Sequence, residues 1–192
     1  MLREENNMTY ELDIAGIKRE LTLCKVTEEL YIGAFVIFGD VELTVHCAAE
    51  LLKRAPEYDY LIAPEAKAIP LLYEMARQSG AEKYFIARKK AKAYMSGVFS
   101  VDVTSITTQG VQTLVLDKEE ARQMQGKRML ILDDVISTGE SLRAMEVLVE
   151  KAGGIIAGKM AILAEGDAAK REDIITLGAM PLFNAYGTPK PL

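Results

Sequence analysis

The window Met129–Leu142, MLILDDVISTGESL, limits the fold of this chain more than any other stretch. Four apolar residues, Met129–Leu132, lie between Lys127-Arg128 and two carboxylates, Asp133 and Asp134, and read as a short buried strand. Val135-Ile136-Ser137-Thr138-Gly139-Glu140-Ser141 then reads as a loop that opens a helix. A strand whose polar C-terminal end runs into a helix is the repeating unit of an open α/β sheet. Such sheets bind ligands outside the carboxyl ends of their strands.

The flanking sequence has the rhythm this requires. Tyr10–Val26 alternates apolar and polar residues around Ala15-Gly16, which predicts two short strands in an N-terminal hairpin. An apolar run, Tyr31–Phe38, ends at Gly39-Asp40, and Asp40 is placed to cap a helix reaching about Arg54 with Leu43, Ala48 and Leu51 inward. Strands are expected at Tyr60–Ala63, Lys83–Ala87, Val98–Thr107, Gln112–Leu116, Arg128–Leu132 and Ile155–Leu163. Helices are expected at Ile69–Ser79, stopping at Gly80, at Asp117–Met124, at Ser141–Ala152 and at Asp167–Leu177, before a final Met180–Phe183 segment. Alternation on this scale predicts an α/β protein with a mostly parallel twisted sheet flanked by helices.

A loop of Ser, Thr and Gly at a helix N-terminus offers backbone N–H groups and hydroxyls to a phosphate. Gly139 has no Cβ to keep the backbone away from it. The adjacent carboxylates Asp133 and Asp134 accept hydrogen bonds from vicinal hydroxyls, so the pattern fits a 5-phosphorylated ribose. A metal-binding turn or a simple helix cap would fit the same residues. The other phosphate-like stretch, Gly153–Met160 (GGIIAGKM), has Met160 where a P-loop needs Ser or Thr and leads into a strand, so it reads as a helix end.

Composition narrows the function classes. With 192 residues the chain fits one domain, burying roughly 70% of its unfolded surface without a metal or disulfide staple. A net charge of −5 argues against a general nucleic-acid or acidic-membrane surface. Cys24 and Cys47 lie in apolar surroundings and read as reduced core residues, and MLREENNMTY has no apolar signal-peptide core, so a cytoplasmic protein is expected. No Cys/His cluster suggests zinc, and the single histidine, His46, reads as structural. Phe35 and Phe38 read as core.

Four apolar residues, two acids and a loop with Thr-Gly and a hydroxyl resemble the signature with which type I phosphoribosyltransferases bind phosphoribosyl pyrophosphate (PRPP). The resemblance spans about residues 30–185 and is similar in pattern to adenine and xanthine phosphoribosyltransferases. It implies that fold, with an N-terminal β-rich appendage forming part of a hood (1–30), a phosphoribosyltransferase domain (31–185) and a C-terminal tail (186–192). It implies a glycosyltransferase (a pentosyltransferase) of purine salvage that moves 5-phosphoribosyl from PRPP to a purine base. Asp133, Asp134 and Arg88 are then the expected catalytic residues. Ser137, Thr138, Gly139, Glu140 and Ser141 take the 5-phosphate. Glu65, Ala66, Lys67, Arg88 and Lys90 take the pyrophosphate, with Lys67 where adenine enzymes commonly carry Arg.

By the same resemblance, Val135 and Ile136 form a platform for the base, and Ala164–Asp167 contribute to its cover. Tyr94–Gln112 corresponds to the family's catalytic loop, with Ser105–Thr108 offering hydroxyls. The implied cofactor is Mg²⁺, held through PRPP rather than by a protein cage, and the implied partners are PRPP, a purine base and a second copy of the chain. Ser137 stands where hypoxanthine-guanine enzymes have an Asp, which favours adenine as the base, with xanthine as the alternative. A PRPP-sensing regulator without turnover is the alternative of another class. Such relatives carry a DNA-binding module or a basic face, whereas this N-terminus reads β-like and the chain is acidic.

Overall fold

In the computed structural model, which describes residues 8–104 and 111–192, five strands form one parallel sheet in the order β10-β9-β8-β4-β5. These strands are β4 (Tyr60–Pro64), β5 (Tyr84–Ala87), β8 (Arg128–Ile136), β9 (Ile155–Glu165) and β10 (Ile175–Met180). Helices α1 (Val41–Leu52) and α2 (Ile69–Ser79) cover one face through Leu43, Leu51, Leu71 and Met75, which pack on Leu130, Leu132 and Met160. Helices α3 (Lys118–Met124) and α4 (Glu140–Lys151) cover the other with Met124, Leu142, Met145 and Leu148 against Ile62, Met129 and Ile131. The apolar runs of β4 and β8 are thus buried from both sides, as a doubly covered parallel sheet demands.

Two antiparallel sheets flank this body. Strands β1 (Thr9–Ile14), β2 (Ile17–Lys25) and β3 (Tyr31–Gly33) form an N-terminal sheet. Its first turn, Ala15-Gly16, has φ of 53° and 76°, the positive values a two-residue hairpin needs. Chain beyond β10 closes on it: Phe183 and Tyr31 exchange backbone hydrogen bonds at 2.9 Å, and the Phe183 ring meets Tyr10 edge-on. Strands β6 (Val98–Thr104) and β7 (Val111–Asp117) form a hairpin tied to the end of β5, where Arg88 and Val115 exchange hydrogen bonds of 2.7 and 2.8 Å.

Local rules explain most boundaries. Asp40 caps α1 by accepting the Leu43 N–H at 3.1 Å, Pro70 lies in the first turn of α2, and Asp117 and Glu120 build a capping box on α3. Gly153-Gly154 ends α4 and leads into β9, as a helix end should.

The expected helix at Asp167–Leu177 does not form. A short 3₁₀ turn, Gly166–Lys170, is followed by β10. The β-branched run Ile174-Ile175-Thr176 favours extended chain, and parallel pairing with β9 along Met160–Glu165 fixes it there. Strand β8 also runs beyond Leu132 through both carboxylates to Ile136, because β9 pairs with it along that length. Cys47 is buried, but Cys24 is exposed on β2, and Phe38 is 51% exposed. Phe35 is core as expected, and His46 lies on the exposed side of α1. Among the described residues no helix is long and apolar enough to cross a membrane.

Candidate functional site

Because β4, β5, β8 and β9 are parallel, their carboxyl ends meet along one edge of the sheet, and the polar residues that follow each strand converge there. Beneath the N-terminal sheet this edge holds a cleft of about 390 Å³. Lys67, Asp134, Val135, Ser137 and Glu165 line it from below, and Cys24, Ile32 and Phe35 from above.

Strand β8 supplies the acids. Asp134 is 5% exposed, and its Oδ2 has no hydrogen-bond partner, with Lys67 Nζ 3.8 Å away. Asp133 Oδ1 accepts the Asp134 N–H at 2.9 Å. Burial, and then the charge of Asp134, push the Asp133 carboxyl up to about 7. Two carboxylates held this close are poised to receive a group rich in hydroxyls or positive charge.

Facing alternates along β8 until it slips at the acids: Leu132 and Val135 share one core, Ile131 and Ile136 the other. Val135 therefore lines the cleft, whereas Ile136 is 2% exposed and packs beside Leu142. Of the two expected platform residues, only Val135 reaches the cleft; Ile136 is packed in the core under α4.

The loop after β8 turns directly into the N-terminus of α4. Ser137 and Thr138 are exposed, and Gly139 takes φ of 80° as the N-cap of α4, with its carbonyl accepting the Arg143 N–H at 2.9 Å. N–H groups in the first turn of a helix have no carbonyl to meet inside it, and the helix dipole adds positive potential at that end. Glu140 and Ser141 occupy that turn.

The loop after β4, Glu65-Ala66-Lys67, contains a cis peptide between Glu65 and Ala66 and joins α2 through Ala68. Glu65 accepts the Lys89 N–H at 3.2 Å and pairs with Lys92 at 3.4 Å, and these contacts hold its carboxyl below the usual range. Arg88 lies over the Tyr94 ring at 5.5 Å, with its Nε buried and without a hydrogen-bond partner. Lys90 is exposed at the end of β5. The structure thus brings Lys67, Arg88 and the Glu65 loop to one edge, with Lys92, a further cation of the run after β5, paired to Glu65. Ser105–Thr108 lie outside the described residues.

Two further residues belong to this edge. Glu165 ends β9 in the cleft wall, where burial raises its carboxyl against the opposing pull of Lys67. The Arg171 guanidinium lies against the 137–141 loop, so close that a Cβ on Gly139 would stand 2.6 Å from Nη1. Sequence reading missed Arg171, since Lys170-Arg171-Glu172-Asp173 looks like an ordinary solvated charge run.

Among the described residues, no group of three or more His, Cys, Asp and Glu side chains is arranged to hold a metal. The site offers cations for phosphates and carboxylates for hydroxyls around an open cleft.

Comparison with known proteins agrees with this arrangement. The chain is 30% identical to an adenine phosphoribosyltransferase of Kosmotoga olearia over 65% of its length and 69% of that protein's. It is 31% identical to a hypoxanthine/guanine phosphoribosyltransferase of Methanocella paludicola, over 67% of this chain and 64% of that one. The crystal structure of adenine phosphoribosyltransferase from Thermoanaerobacter pseudethanolicus superposes with a TM-score of 0.63, covering 92% of this chain and 98% of that one at 23% identity, a likeness of fold. The phosphoribosyl transferase domain family matches residues 44–177, more than half of the chain, and with the parallel sheet and its loops this makes the protein a member of the phosphoribosyltransferase family.

Proposed function

We propose that this protein transfers the 5-phosphoribosyl group of PRPP to a purine base, adenine first, and releases pyrophosphate. The observation that carries the reading is the meeting, at one sheet edge, of the adjacent Asp133 and buried Asp134, the Gly139 loop at the start of α4, and Lys67. The 5-phosphate sits on the N–H groups of residues 137–141, and the ribose hydroxyls donate to Asp133 and Asp134. Lys67, Arg88 and the Glu65-Ala66 loop hold the pyrophosphate, and Lys90 and Lys92 raise the positive potential beside it. The base enters under the N-terminal sheet against Val135, near Glu165 and Ser137.

In the reaction a ring nitrogen of the base forms a bond to ribose C1 as the bond from C1 to pyrophosphate breaks, and the proton that the base gives up leaves to the released pyrophosphate or to solvent. The protein supplies alignment and fixed charge, which cost no reorganisation as negative charge grows on the leaving group. The residues fit Mg²⁺ brought in by PRPP: the hard oxygens of Asp133 and Asp134, one of them buried and unpartnered, would be its nearest protein donors. When bound it neutralises pyrophosphate charge.

Adenine is favoured over 6-oxopurines because Ser137 stands where the hypoxanthine-guanine enzymes that this loop resembles have an Asp, and a hydroxyl is a poor base near neutral pH. The relatives include adenine, hypoxanthine/guanine and orotate phosphoribosyltransferases, so the family alone does not choose the base. A homodimer in the cytoplasm, acting in purine salvage, completes the proposal.

The test is pyrophosphate release from PRPP and Mg²⁺ with adenine, hypoxanthine, guanine, xanthine, uracil or orotate supplied singly. Adenine alone should give stoichiometric nucleotide. Turnover with xanthine instead would reassign the base, and PRPP binding without turnover on any base would make the protein a sensor.

A further inference from the structure

Arg171 follows the 3₁₀ turn, far in sequence from the loop after β8, yet its guanidinium closes over Gly139. Its Nε and Nη2 donate to Asp173 at 2.9 and 2.8 Å, while Nη1 faces the loop. Asp173 is held in turn by Lys159 of β9, and Lys159 donates to Glu146 of α4 at 2.8 Å. Lys159 and Glu146 are only 16% and 14% exposed, so the network is anchored between sheet and helix rather than floating on the surface. Arg171 and Lys159 together hold the Asp173 carboxyl far below the usual range.

The balance of charge explains the arrangement. With Arg143 paired to Glu146 at 3.4 Å, the network itself holds three cations, Arg143, Lys159 and Arg171, and two carboxylates, Glu146 and Asp173. Glu140 opens the helix with a negative charge. A dianion on the N–H groups of that turn therefore needs a cation near it, and Arg171, whose Nη1 lies against Gly139, is in reach. Guanidinium suits the role, since two nitrogens can stay on Asp173 while a third meets a phosphate oxygen.

We propose that Arg171 is a phosphate-binding residue, capping the 5-phosphate held by the 137–141 loop, with Asp173, Lys159 and Glu146 as its positioning residues. The proposal rests on the phosphoribosyl reading of that loop. Gly139 then matters in two ways: it takes the φ of 80°, and it leaves the space that a Cβ would occupy against the guanidinium.

The experiment is equilibrium binding of ribose 5-phosphate and, separately, of pyrophosphate with Mg²⁺, to wild type, R171Q and R171K. R171Q should weaken ribose 5-phosphate at least tenfold, R171K by less, and both should leave pyrophosphate within twofold. Unchanged ribose 5-phosphate binding in R171Q overturns the role. Equal weakening of both ligands in both variants also overturns it, because that marks a structural part. Wild type that binds neither ligand would instead sink the phosphoribosyl reading itself.

Discussion

The acids of β8 set the chemistry at the scale of single residues. Asp134 is buried with one oxygen unpartnered, so its charge is tolerable only if a ligand or Lys67 compensates it. Asp134→Asn should lower turnover with PRPP at least tenfold, and unchanged steady-state kinetics would remove the role. Asp133 makes a prediction about pH. Its carboxyl titrates at about 4 in an unfolded chain and at about 7 in the fold. Between those values the folded protein keeps a proton that the unfolded chain has released, so stability falls as pH rises through that window. Asp133→Asn removes this penalty. Without ligand its Tm should exceed that of wild type at pH 8, and the gap should close as pH falls toward 4. A gap independent of pH would show that Asp133 is not the group responsible.

Elements carry their own couplings, and the junction of β2 with α1 is the clearest. Asp40 caps α1 through the Leu43 N–H and also takes Arg19 of β2 with both oxygens, at 2.6 and 3.0 Å. One carboxylate therefore joins the N-terminal sheet to the helix beneath it. Asp40→Ala should cost about 1–2 kcal/mol in urea denaturation, from the lost cap and the partly buried pair. Glu42→Ala removes only the exposed third partner of Arg19 and should cost no more than about 0.5 kcal/mol. The Asp40 carboxyl is held low, mainly by Arg19, so its contribution is present at neutral pH and lost as pH falls below about 4. Equal costs for the two variants would mean that the junction does not depend on Asp40.

The legibility of the sequence follows from the same local rules. Helix α2 could be bounded to the residue because Pro70 and Gly80 act within a few positions. The segment Asp167–Leu177 misled because its partner, β9, is a tertiary matter that no window of residues contains. Asp133, Asp134 and the Gly139 loop were readable as neighbours in the chain. Arg171 was not, since its place over Gly139 depends on Lys159 and Glu146 from two other elements.

For the molecule as a whole, the proposed homodimer requires an apolar surface on each chain. Val36, Phe38, Val41 and Tyr73 are all more than half exposed, and Val41 and Tyr73 line a shallow apolar pocket of about 250 Å³ with Ile37, Val45 and Pro70. Apolar groups gathered in this way on a charged, acidic chain mark a contact surface rather than ordinary scatter. Val36 also lines the cleft, so whatever covers the patch stands at the mouth of the site. In the proposed homodimer a two-fold axis would bring the same apolar patch from each side and would exclude water from both clefts at once. Light scattering at micromolar concentration should give twice the chain mass. Val41→Glu with Tyr73→Glu should give monomers, because each pairing would bury four unpaired charges across the axis. If closure at the rim matters to the site, those monomers should bind PRPP, whose loops lie within one chain, but show a raised KM for the base. A wild-type monomer would refute the pairing, and a dimeric double variant would move the interface to another face.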